Sequence, residues 1–130
     1  ERIVIVLDYR EDKELLNITA QKWAKDIGVG RDGVQNTQIR KFFDQVLELT
    51  NKAKHSNDFD GEILPFVKML NSKVAYASAR KSAGGNLVNK PFIEMMNSCI
   101  GQVDTKEKLN IFKLFFEAVI GFHKSLEGRN

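Results

Sequence analysis

Residues 105–126 read TKEKLNIFKLFFEAVIGFHKSL, and the reading of this stretch decides the fold. Asp104 with Glu107 three positions on matches a pattern that opens helices. At a helical period, Leu109, Phe112, Phe115, Phe116, Val119, Ile120, Phe122 and His123 share one broad apolar face. Ile111, Leu114 and Ala118 carry that surface round the other side, leaving a narrow wedge of Lys106, Lys113, Glu117 and Lys124 for water. A helix apolar nearly all round is buried, or meets partners on two sides. Charges every few positions exclude a membrane span. Four of the nine Phe lie here, so this is the expected core helix.

The chain around it has room for one domain. Its 130 residues, 42% hydrophobic and 28% charged, have the composition of a globular protein with a real core. No signal-peptide pattern or long apolar run stands out, which makes the cytosol the expected compartment. Cys99 is the single cysteine, which excludes an internal disulfide and a cysteine-based metal cage. Charge is uneven. Residues 1–62 hold 10 Lys/Arg against 12 Asp/Glu, and residues 63–130 hold 10 against 5, a balance that permits contact with a polyanion.

Moving outward, Asn89 to Ile100 reads as a helix with Pro91 in its first turn and Gly101 as its stop. Phe92, Met95, Met96, Cys99 and Val103 are its inward positions. Before it, Ser82-Ala-Gly-Gly-Asn86 reads as a flexible stop to a helix that Pro65 either begins or kinks. Ile63, Val67, Leu70, Val74 and Ala77 form the apolar stripe of that helix. Lys73, Tyr76 and Arg80 form a second stripe beside it, with small residues around them. Upstream, Thr37 starts a helix with Ile39, Phe42, Phe43, Val46, Leu47, Leu49 and Ala53 inward, Arg40 at the edge of that face and Lys41 outside it. Asp8 with Glu11 reads as a capping box for a first helix running to Gly28 on a Leu16, Ala20, Trp23, Ile27 stripe. The predicted architecture is all-α, a compact bundle of about five helices, in a single helical domain over residues 11–130. Residues 1–10 form an extension whose apolar run Arg2–Leu7 would suit a strand, although no second strand candidate follows. It reads equally as a strap over the helices, a contact with another subunit, or an ordered tail.

Little here suggests catalysis. Gly28-Val-Gly30-Arg-Asp-Gly33 matches G-x-G-x-x-G, but follows a helix where a dinucleotide site needs a strand, so it reads as a flexible connector. His55 lies in a polar loop, and His123 ends an apolar stripe, a setting that suits a buried or capping residue. Asp58, Asp60 and Glu62 lack the length and ligands of an EF-hand and fit helix capping. No catalytic set, metal site or cofactor is expected. The remaining chemistry is basic and aromatic: Arg40 and Lys41, then Lys73, Tyr76, Arg80 and Lys81. Arg and Lys neutralise phosphates, and an aromatic ring can stack on an unpaired base. The plainer reading makes them the solvated edges of amphipathic helices, with Tyr76 half-buried.

Three stretches together resemble the small subunit of the Csm-type (type III-A) CRISPR interference complex. They are Thr37-Gln-Ile-Arg-Lys-Phe-Phe43, Leu70-Asn-Ser-Lys-Val-Ala-Tyr-Ala-Ser-Ala-Arg80 and Phe112-Lys-Leu-Phe-Phe-Glu-Ala-Val-Ile-Gly-Phe-His123. The likeness covers residues 11–126 and rests on their order and spacing. Asn71-Ser72 stands where the family often has Lys-Pro, which removes one basic residue, and the Arg2–Leu7 run is outside the family pattern. The resemblance implies a non-enzymatic helical subunit, repeated along a ribonucleoprotein and lining the groove where guide RNA pairs with single-stranded target RNA. It also implies contacts with other subunits and with neighbouring copies of itself, with a homodimer possible when isolated, and no membrane. The family's basic positions fall on Arg40, Lys73 and Arg80; Lys41 and Lys81 are added by adjacency, and Tyr76 by its ring. The rival is a helical protein–protein adaptor that self-associates and touches no RNA.

Overall fold

The computed structural model describes residues 3–82 and 85–127, with the side chains of residues 81–86 outside that description. A π-helical segment, Leu15–Thr19, runs into α1, Ala20–Ile27. There follow α2 (Asn36–Ala53), the single turn α3 (Phe59–Glu62), α4 (Leu64–Ala79), α5 (Lys90–Gln102) and α6 (Lys106–Glu127). Between α4 and α5 the chain pairs briefly with itself, β1 (Lys81–Ser82) antiparallel to β2 (Gly85–Asn86). The fold is all-α, as the periodicity predicts. The expected flexible stop is instead this small ladder, and Ala83 and Gly84 lie outside the described residues.

Helix α6 is the centre. It packs mainly against α1 and α2, with α5 and the π-helical segment also in contact. Leu109, Ile111, Phe112, Phe115, Phe116, Val119, Ile120 and His123 are buried along it. Phe116 is the hub of an aromatic cluster: its ring centroid lies 5.6 Å from Phe43 of α2, 6.4 Å from Phe92 of α5 and 5.9 Å from Phe112. Phe42 joins through Phe92 at 5.3 Å. Each fully buried Phe contributes about 1.5–3 kcal/mol by burial alone, and tilted or edge-on ring pairs add to it.

Several helix ends differ from the sequence reading, each for a local reason. The first helix begins at Leu15, because Asp8 caps only a turn, accepting from Arg10 N at 2.8 Å. Asp12 braces the turn before it, accepting from Glu14 N at 3.0 Å and from the Thr19 hydroxyl at 2.7 Å. Thr105 rather than Asp104 caps α6, its hydroxyl accepting from Lys108 N at 3.1 Å. Gly101 does not end α5, which continues to Gln102. Pro65 falls in the first turn of α4, where its missing N–H has no intrahelical partner to lose. Asn89 caps α5 by accepting from Phe92 N at 3.1 Å.

The apolar N-terminal run is a strap over the helices. Ile5 and Leu7 are buried in the core while Ile3 and Val4 face solvent. The hydrogen bonds that a partner strand would supply come from side chains. Gln102 donates to Ile5 O and accepts from Leu7 N, both at 2.9 Å. Lys108 Nζ reaches Leu7 O at 2.9 Å, and Trp23 Nε1 donates to Ile3 O at 3.0 Å. A lone extended segment is thereby satisfied without a sheet.

Candidate nucleic-acid interface

Two stripes of the same spacing face each other across a groove between α2 and α4. Gln38, Lys41 and Gln45 stand on α2; Lys73 and Tyr76 stand on α4, and Arg80 follows in extended backbone just past the end of α4 at Ala79. Phe42 and Ala77, both buried, form the floor; Gln35, Thr37 and Leu87 complete the lining. The groove holds about 370 Å³. Its lining contains three cations and no carboxylate. Lys73 Nζ donates to Gln45 Oε1 at 2.6 Å, a neutral partner that orients the ammonium without cancelling its charge. The Arg80 guanidinium carbon lies over the Tyr76 ring, 5.6 Å from its centroid. Tyr76 is 67% exposed, so the half-buried position is excluded.

The sequence candidates separate in space. Lys41, Lys73, Tyr76 and Arg80 converge on this groove. Arg40 is exposed but does not line it, because consecutive helical residues point about 100° apart. The Lys81 side chain lies outside the described residues, although its backbone pairs with Asn86. Gln38 and Gln45 were missed. Their spacing with Lys41 was readable, but a polar stripe on a helix is ordinarily a solvated face, and only the packing of α4 across it makes it a wall.

The basic surplus of the C-terminal half is partly structural. Lys68 donates to Ile100 O at 2.6 Å, Lys106 to Ser56 O at 2.7 Å and Lys108 to Leu7 O. These ammonium groups hold carbonyls at chain ends and turns, the role lysines play at helix C-termini.

At the other end of the same face, Leu49 and Leu70 floor a cleft of about 200 Å³ rimmed by Phe66 and Met69 together with Glu48, Lys52 and Glu62. Phe66 and Met69 are about half exposed. One α2–α4 surface thus has a basic, aromatic end and an apolar end, meeting at the Lys73–Gln45 bond.

Several polar and nucleophilic groups hold structural positions. His123 is fully buried and donates from Nε2 to Gly28 O at 2.7 Å, which fixes its tautomer. That bond ties α6 to the glycine loop after α1, which is built rather than loose. Gly28 takes φ 70°, and a Cβ on Gly33 would lie 2.3 Å from Gly28 O, so the backbone closes on itself there. Burial pushes the Cys99 thiol far above its ordinary range, which leaves no thiolate to act as a nucleophile. Asp58 caps α3 by accepting from Gly61 N at 3.1 Å. Among the described residues no three His, Cys, Asp or Glu side chains are placed to hold a metal ion together. No helix among them is long and apolar enough to cross a membrane.

Fold and groove together define a helical class of chain that presents cations beside an exposed ring. Residues 10–129 match the family described as Csm2 Type III-A, and the chain belongs to that family, the small subunit of a type III-A CRISPR complex. No curated protein and no solved structure gives a significant match.

Proposed function

We propose that this chain is a non-catalytic subunit that lines the groove of a type III-A effector where guide RNA pairs with target RNA. It acts in the cytoplasm, beside other subunits and neighbouring copies of itself. The observation that carries this reading is the convergence of Lys41, Lys73 and Arg80 on one groove whose lining holds no carboxylate. Arg and Lys so placed neutralise backbone phosphates and release counterions, whatever the base sequence. The guide supplies sequence by base pairing, so a subunit of this kind needs to read only backbone and shape. Few phosphates per copy suffice when the subunit is repeated. Arg40 adds charge at the periphery, and the apolar end at Phe66 and Met69 is assigned to protein contacts with neighbouring subunits.

The test is a gel-shift titration of the full chain with unstructured single-stranded RNA at two salt concentrations. Binding should weaken with salt, with a log–log slope of roughly −0.7 per phosphate neutralised. The Lys73→Glu/Arg80→Glu variant should lose this binding while keeping the helical circular dichroism spectrum. Salt-insensitive binding, or a variant that binds as well as the parent, would leave the adaptor without RNA contact as the better reading.

A further inference from the structure

Tyr76 stands apart from the other aromatic rings of the groove region. Phe42, at the floor, is buried in contact with Phe92. Tyr76 remains 67% exposed in the last turn of α4, with Lys73 one turn before it and Arg80 just past the helix end. Its ring lies under the Arg80 guanidinium, which supplies a planar, charged backing. The opposite side of the groove, Gln38, Lys41 and Gln45, is polar and offers the ring no apolar partner. A large aromatic surface in this setting is unspent.

Resting on the phosphate-binding reading above, we propose that Tyr76, backed by Arg80, is a stacking platform for a single unpaired RNA base. Lys41 and Lys73 hold the phosphates on either side of it. A groove of about 370 Å³ lies at the small end of the range that encloses small ligands, roughly 300–1,000 Å³. That volume takes one nucleotide; a double helix would meet only its rim. Every base has a π-face, so stacking on Tyr76 adds affinity without choosing a sequence, which agrees with recognition delegated to the guide. The platform gives the subunit a preference that charge alone cannot provide: it favours a nucleotide displaced from a helix, or a single strand, over continuous duplex.

The experiment uses the full chain and a short single-stranded oligouridylate carrying one 2-aminopurine, whose fluorescence is quenched by stacking. Binding of the parent should change that fluorescence, and Tyr76→Phe, which keeps the ring, should preserve the change. Tyr76→Ala should abolish it and weaken binding roughly 5- to 150-fold, with the salt slope unchanged because the phosphate contacts remain. Circular dichroism should be unaltered, since the side chain is exposed. If Tyr76→Ala binds and quenches like the parent, while Lys73→Glu/Arg80→Glu still loses salt-sensitive binding, the platform is wrong and the phosphate reading stands. If the parent does not bind the oligouridylate even at low salt, both fail together.

Discussion

Helix α6 buries a broad face of eight side chains, whereas α4 buries a stripe of four and leaves Phe66, Met69 and Tyr76 in solvent. Both are rich in apolar residues, and the difference lies in what surrounds them. Around α6 stand α1, α2 and α5, so Phe112, Phe115 and Phe116 find ring and aliphatic partners on several sides. Around α4 stand α5, α3 and the edge of α2, and the face carrying Phe66, Met69 and Tyr76 is open to solvent. Burial turns the apolar residues of α6 into stability. Exposure leaves those of α4 free for contacts outside the chain. The two helices divide the work: one holds the fold together, and the other presents a face with a basic end and an apolar end.

That division can be broken at its strongest point first. Phe116→Ala removes the hub of the aromatic cluster and leaves a cavity shared by α2, α5 and α6. The expected loss is about 3–5 kcal/mol, read as a shift in the urea midpoint by circular dichroism. A loss below about 1 kcal/mol would mean that α6 is not the organising helix. A smaller effect is expected at the strap. Gln102→Ala unpairs Ile5 O and Leu7 N together, and should cost about 1–3 kcal/mol. Amide exchange at Leu7 should accelerate well beyond exchange in α6; equal protection before and after would show that Trp23 and Lys108 hold the strap unaided. The smallest effect belongs to α4. Phe66→Ser at an exposed site should change stability by no more than about 0.5 kcal/mol in thermal unfolding. A large loss there would place Phe66 in the core and erase the contrast between the two helices.

Much of this architecture is legible in the chain itself. The Leu109–His123 stripe identifies α6 as the core, because a helix with so little polar surface has nowhere else to go. The Val67, Leu70, Val74, Ala77 stripe likewise fixes the buried side of α4 and leaves Lys73, Tyr76 and Arg80 beside it. Asn89 marks the start of α5 through a bond within one turn, and Pro65, which the sequence leaves as a start or a kink, falls in the first turn of α4. Local chemistry predicts less well where two capping residues compete. Asp8 reads as the opening of the first helix but caps only a turn, and at α6 Thr105 caps in place of Asp104.

What the sequence determined by itself was the helical class, the identity of the core helix and the set of cations that a groove could use. Periodicity and composition carry those, because they depend on spacing along one element. The tertiary structure decided the rest. Only the docking of α4 against α2 brings Lys41 to Lys73 and Arg80 and turns Arg40 away from the groove. Only folding spends Lys68, Lys106 and Lys108 on backbone carbonyls, and closes an unpaired apolar strap with the side chain of Gln102, 95 residues from Leu7. Such contacts join residues distant in sequence, and no pattern within a single helix encodes them.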